Sequence, residues 1–311
     1  MKKTILILAA LLGAILWTGC QKIEEPIEEE PEVVVPEEPV GSYTLTVEAT
    51  KGADTKALSL DGSTLNAYWS TGEKVAVYLS GTYKGLLTAT VNPSDNTKAQ
   101  LTGTLESIEG VVANAVLTLL FPRSEWDYTG QNGAEPSAHG DLATKYDYAE
   151  ATVTVATVDN TNLTITTTGG ADFANQQSMY RFGFKVGGAG DAIAIKGFTV
   201  SSVNNALVRS RTWSGSAWTD TPGSITVNID GTKALPYASL RNTLVSPSNP
   251  NDNTIVDTYS FSVIGSDDAL YLGEKGIPGK VMTVQGKFIS AASITITKSN
   301  LAQTGTVSEV W

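Results

Sequence analysis

The sequence predicts an all-β body of two domains, and three observations carry that prediction. Short runs rich in Val, Ile, Thr, Tyr and Phe recur from residue 41 onward, apolar and polar residues alternate within them, and Gly- and Asp-containing breakers separate them. Period two is what a strand with one buried face requires, because successive side chains point to opposite sides of a sheet. No segment of the body carries a sustained helical stripe. Many short strands with frequent turns belong to sandwiches or barrels.

Taken in order, the chain begins with a secretory signal. Lys2 and Lys3 precede an apolar stretch from Thr4 to Leu16, which is too short for a bilayer span of about 20 residues. Thr18 and Gly19 then lead to Cys20, the only cysteine. A lone cysteine at the exit of a signal resembles the bacterial lipobox, although Trp17 stands where a smaller aliphatic residue is usual. The expectation is a signal peptide over 1–19 and a lipid on Cys20, holding the protein on the cell outer membrane as a surface lipoprotein. With Cys20 acylated no disulfide is available, so stability has to come from core packing.

Residues 20–40 read as a stalk. Prolines at 26, 31, 36 and 39 fix φ and remove donors, and the glutamates repel one another, so the segment extends. The formal charge of −11 becomes −13 once Lys2 and Lys3 are removed; eight Glu and Lys22 give the stalk −7, leaving −6 for residues 41–311. There is no basic patch, which argues against a nucleic-acid partner.

Tyr43, Leu45, Val47 and Ala49 alternate with Thr44, Thr46 and Glu48 as the first strand of the body. Further strands are predicted over 75–79, 86–91, 115–121, 151–158, 163–167, 180–186, 192–200, 224–229, 258–264, 280–289 and 292–297. A boundary near Gly169 to Asn175 divides the body into an N-terminal domain over 41–171 and a C-terminal domain over 172–311. The stretch from Asp127 to Asp147 is read as a surface insertion, and 246–257 as another loop.

Catalytic chemistry is poorly supplied. His139, the only histidine, sits in Ser-Ala-His-Gly-Asp and in no elbow motif, and one His without a free Cys is too few soft ligands for structural zinc. No phosphate-binding glycine loop or Gly-x-Ser-x-Gly occurs. Asp127, Glu135, Asp141, Asp147 and Glu150 are read as a solvated acidic loop, with a carboxylate pair across a sugar cleft as the alternative. Asp252, Asp267 and Asp268 offer oxygen ligands without calcium-loop spacing. The expectation is a protein that is no enzyme and carries no cofactor or metal. Trp213 and Trp218 flank a predicted hairpin tip, either bracing it or contacting a glycan.

Several phrases resemble the fimbrillin family of Bacteroidetes pilins. They are the first strand followed by Thr55-Lys56-Ala57, then Trp69-Ser70-Thr71-Gly72-Glu73 leading into Val75-Ala76-Val77-Tyr78, and Leu119-Leu120-Phe121-Pro122. The resemblance implies two tandem transthyretin-like β-sandwich domains of Greek-key type and a role in cell adhesion as a fimbrial, or pilus, subunit. It implies that a trypsin-like protease removes the first strand and that a neighbour's C-terminal strand fills the vacated groove. Lys51 and Lys56 are the candidate cleavage residues, where the family has an arginine. Val307 and Trp311 mark the candidate donor strand, with its retention as the last strand of its own domain as the alternative. The implied partners are other pilus subunits, the outer membrane, and host or bacterial surface receptors. The rival reading is a glycan-binding surface lipoprotein of a polysaccharide-uptake system, with Trp213 and Trp218 as contacts.

Overall fold

A computed structural model describes residues 41–51, 59–61, 64–66, 68–137, 140–187, 192–244, 254, 256–278, 288–290 and 293–299. Cys20, Lys56, His139, Asp252, Val307 and Trp311, each singled out above, lie outside the described residues. The body from Gly41 onward is one compact unit.

The all-β class holds, with one short helix among the described residues. In chain order the first part contains β1 (Tyr43–Lys51), β2 (Ser59–Asp61), β3 (Thr64–Asn66), β4 (Lys74–Leu79), β5 (Thr82–Asn92), β6 (Asp95–Leu105), β7 (Val116–Phe121) and β8 (Glu125–Asp127). The helix α1 (Asp141–Lys145) follows, then β9 (Ala149–Asp159), β10 (Thr164–Thr168) and β11 (Ala171–Asn175). The second part contains β12 (Ser178–Arg181), β13 (Phe184–Val186), β14 (Ile195–Ser202), β15 (Val208–Trp213), β16 (Trp218–Pro222) and β17 (Ile225–Lys233). It ends with β18 (Tyr237–Leu240), β19 (Val256–Gly265), β20 (Leu270–Pro278), β21 (Phe288–Ser290) and β22 (Ile294–Lys298). No helix of the described residues is long and apolar enough to cross a membrane.

The first part differs from the predicted open sandwich, because its sheet closes on itself. β1 pairs antiparallel with β6 from Tyr43↔Leu105 to Thr50↔Lys98. The circuit continues through β5, β4, β7 and β9 to β10 and β11, which share one position in the ring and pair in parallel with the other side of β1. Closure leaves β1 without a free edge along its paired length. Its alternation is complete: Tyr43, Leu45, Val47 and Ala49 are buried among Val75, Val77, Leu87, Leu101, Leu119, Val155 and Ile165. Trp69 and Phe173 also belong to this core, and Trp69 meets Phe121 and Phe173 edge-on at 5.4 and 5.3 Å.

The second part has a six-stranded sheet in the order β13-β22-β20-β19-β14-β17 and a three-stranded sheet β18-β12-β21. Both contribute to a second core centred on the rings of Phe182, Phe184, Phe198 and Phe261. The sequence division at 171/172 falls within β11, which pairs with β1 and β9 and places Phe173 in the first core.

The stretch from Asp127 to Asp147 is not the exposed insertion expected. Trp126, Tyr128, Leu142, Tyr146 and Tyr148 are buried in the second core, and β8 pairs with β15. The spacing of two between Trp126 and Tyr128, and again between Tyr146 and Tyr148, was a buried-face signal in an otherwise polar stretch.

Candidate functional site: the end of the first strand

The alternation that buries Tyr43, Leu45, Val47 and Ala49 continues by one step to Lys51, the last residue of β1. Period two therefore points a lysine inward at one end of the barrel. Its side chain is only 1% exposed. Lys51 Nζ donates to Asp147 Oδ2 at 2.9 Å, to the Tyr68 carbonyl at 3.1 Å and to Glu73 Oε2 at 3.3 Å. An ammonium has three donors, and all three are used. The charge also lies 3.9 Å from the ring centre of Phe121 and 4.4 Å from that of Trp69, the arrangement of a cation–π contact.

Local structure explains how these groups meet. Glu73 follows a turn at Thr71-Gly72 and immediately precedes β4; its Oε2 also accepts the Ser70 amide at 3.0 Å. Asp147 lies between α1 and β9. Phe121 ends β7 and pairs with Ala149 in β9, while Lys51 pairs with Phe173 in β11. Desolvation by burial is the largest influence on Glu73 and raises its pKa; the Lys51 charge and the Ser70 amide oppose that rise, and the Asp147 charge adds to it. Asp147 Oδ1 and Trp69 Nε1 are buried and without a hydrogen-bond partner among the described residues. A buried amine, a buried carboxyl group and a second, partly exposed carboxyl group thus meet in one aromatic-walled corner.

Of the residues singled out in the sequence, Lys51 and Asp147 are brought into this constellation. As a cleavage residue Lys51 is closed in the folded protein, because a trypsin-like enzyme has to draw the lysine side chain into its own pocket. The five loop carboxylates do not converge: Asp127, Glu135 and Asp141 are exposed, as a solvated loop requires, whereas Asp147 is buried. Asp147 pairs with Lys51, Glu150 accepts from Trp218 Nε1 at 2.7 Å, and Glu135 accepts from the Tyr237 hydroxyl at 3.2 Å. Asp127 Oδ1 accepts the Thr129 amide, and Asp141 pairs with Lys145 at 3.5 Å. Asp267 and Asp268 are ion-paired with Lys298 and Lys196.

Trp213 and Trp218 are cross-strand partners at the tip of the β15–β16 hairpin, with ring centres 5.3 Å apart. Trp218 packs on Trp126 at 3.8 Å with the rings tilted by 36°, and the Arg211 guanidinium lies over its ring, while Trp213 meets Tyr78 edge-on at 6.1 Å. Both are half-buried, and their faces are engaged by protein. Sequence reasoning missed Glu73 as a partner of Lys51, although the Trp69 to Glu73 phrase lay in view; the pairing spans 22 residues and has no local signature.

No protein-family model matches the sequence, and no curated protein matches it. Among solved structures, the chain is similar to a protein from Bacteroides uniformis assigned to cell adhesion, at 14% identity and a TM-score of 0.42, over 83% of this chain and 96% of that one. It is similar to the tip fimbrial protein Mfa3 of Porphyromonas gingivalis at 10% identity and a TM-score of 0.35, over 83% and 99%. It is also similar to the shaft pilin SpaA of Lactobacillus rhamnosus GG at 11% identity and a TM-score of 0.32, over 84% and 100%. With TM-scores below 0.5, none of these likenesses carries the functional reading.

Proposed function

We propose that the chain is an anchored end subunit of an adhesive surface fibre of the fimbrillin kind. The lipid on Cys20 holds it on the outer membrane, β1 stays in its own barrel, and residues 301–311, with Val307 and Trp311, supply a strand to the next subunit. The observation that carries this reading is the position of Lys51: the residue that ends β1 is buried and bound by two carboxylates and a carbonyl. β1 is also hydrogen-bonded on both sides and fills four sockets with Tyr43, Leu45, Val47 and Ala49.

Strand addition needs an open edge with vacant pockets. A subunit whose groove is filled by its own β1 can donate a strand but cannot accept one, so it belongs at an end of the fibre. A cut after Lys56 would leave β1, and the lipid joined to it, in place.

The test is to shear fibres from palmitate-labelled cells and map the N-terminal peptides of the chain in each fraction. The expected result is a labelled chain in the membrane fraction with the peptide containing residues 43–51 still present. A chain recovered in sheared fibres that begins at Ala57 and lacks that peptide overturns the end-subunit reading.

A further inference from the structure

Lys51, Asp147 and Glu73 have the composition of a reaction centre as well as of an ion cluster. An ion pair in a dry site is expensive to maintain, because the attraction between the charges has to offset the loss of their hydration. Transfer of one proton from the Lys51 ammonium to the Asp147 carboxylate removes both charges. It also produces the two species that condense to an amide, a neutral amine and a neutral carboxylic acid. Lys51 Nζ lies 2.9 Å from Asp147 Oδ2, which places the amine within van der Waals reach of the carboxyl group it would attack. Holding reactants at such separations is worth effective molarities of roughly 10⁵–10⁸ M when the orientation is right. Trp69 and Phe121 cover the Lys51 ammonium on the ring side, which limits the access of water, the reactant of the reverse hydrolysis, to Lys51 and Asp147.

We propose that Lys51 and Asp147 join in an intramolecular isopeptide bond, with Glu73 as the proton shuttle. After the proton transfer, the Nζ lone pair attacks Asp147 Cγ and forms the C–N bond. Glu73, protonated at the start, delivers its proton to the departing hydroxyl oxygen and takes one from Nζ in exchange. The C–O bond breaks, one water leaves, and Glu73 returns to its starting state. The sum is an ammonium and a carboxylate giving an amide and water; no oxidant, reductant or activated group is needed. Glu73 is suited to the task by position, 3.3 Å from Nζ, and burial favours its protonated form.

The bond would tie the end of β1 to the segment leading into β9, so β1 could not leave the barrel even after the chain was cut at Lys56. It would give the retention of β1 proposed above a covalent basis, but it does not rest on that reading. Ion pairing alone also holds β1 in the native protein, and a linked Lys51 is compatible with any position in a fibre.

The test is peptide mapping of the full-length protein after denaturation and exhaustive trypsin digestion. The expected product is a branched peptide that contains Lys51 and Asp147, is uncut after Lys51, and is one water lighter than its two components together. Glu73→Gln, which keeps shape and hydrogen-bonding capacity, is expected to slow linkage about 10²–10⁴-fold. Lys51→Arg keeps the positive charge and is expected to abolish the branched peptide. Separate Lys51 and Asp147 peptides at full mass, from wild-type protein with native circular dichroism after prolonged incubation, overturn the proposal. Linkage that proceeds equally fast in Glu73→Gln overturns the role given to Glu73. The fibre reading fails instead on the sheared-fibre experiment, and neither result decides the other.

Discussion

Among the described residues, two cations are buried against aromatic rings, and the two sites are built differently. Lys51 sits at an end of the first barrel between Trp69 and Phe121, facing Asp147 and Glu73. Arg211 belongs to β15, beside the second core, with its guanidinium 5.3 Å from the ring centre of Trp126 and 4.6 Å from that of Trp218. It is ion-paired with Asp220 across the hairpin and is 3.4 Å from Gln176 Oε1. The partner of Arg211 is 27% exposed, whereas Asp147 is 5% exposed. Water can solvate Asp220 if its cation is lost; it cannot readily reach Asp147. Guanidinium keeps its proton under all ordinary conditions, whereas an amine can give its proton up. The first site is therefore able to change its covalent state, and the second is a fixed brace.

Replacing each cation with an isosteric apolar residue breaks the comparison most directly. Lys51→Met leaves a buried carboxylate without its counter-charge, a change that typically costs about 3–5 kcal/mol. It should appear as a large fall in the urea midpoint with an unchanged m-value. The same fall measured after full linkage would be larger, because a covalent closure is lost as well. If Lys51→Met proves neutral, Asp147 is not confined as described.

Much of the fold could be read from the sequence, and the exceptions have physical causes. β1 and β19 were legible because one face is buried and the other is wetter, so their alternation is clean, whereas β4 and β7 were legible as apolar runs, with Val75 to Val77 and Leu119 to Phe121 buried in succession. β6 was not, because only Ala99, Leu101 and Leu105 are buried among Thr, Gln and Lys. β20 was obscured by Gly273, Gly276 and Pro278, which read as breakers. Closure of the barrel had no local signal, since the parallel pairing of Thr44 with Thr164 joins distant parts of the chain. The site was legible only in part: Lys51 was read as a cleavage residue, although period two carried one step beyond Ala49 points it inward, and nothing local announced that Glu73 and Asp147 would arrive beside it.

The docking of the β15–β16 hairpin tip sharpens the contrast from the side of the brace. Gly215 has φ +101°, and a Cβ there would lie 2.2 Å from the carbonyl oxygen of Gly81 in the β4–β5 turn. Gly215→Ala therefore combines a disfavoured backbone angle with a backbone clash, at about 2–3 kcal/mol. The expected readout is lower thermal stability with a red shift in the emission of Trp213 and Trp218 as the tip lifts. Arg211→Met comes next, at about 1–2 kcal/mol, since it removes cation–π contacts and the hydrogen bonds to Asp220 and Gln176 but leaves Asp220 able to hydrate. A loss as large as that of Lys51→Met would erase the distinction between the two sites.

The smallest effect is a pH slope that belongs to the Lys51 site alone. Burial holds the Glu73 pKa above its ordinary value of 4.5. The folded protein then binds more protons than the unfolded chain between that value and the higher folded one, so stability falls as pH rises through the interval. Below the ordinary carboxylate range the contribution is fully present; above the folded value it is lost. Glu73→Gln should flatten this slope in urea titrations run from mildly acidic to neutral pH. Linkage of Lys51 to Asp147 removes a cation that opposes the rise and an anion that adds to it. Because the Lys51 charge is the stronger of the two influences, linked protein should show the slope extended toward higher pH than Lys51→Arg protein. Equal slopes in the two would mean that the charge on Lys51 persists in the native chain.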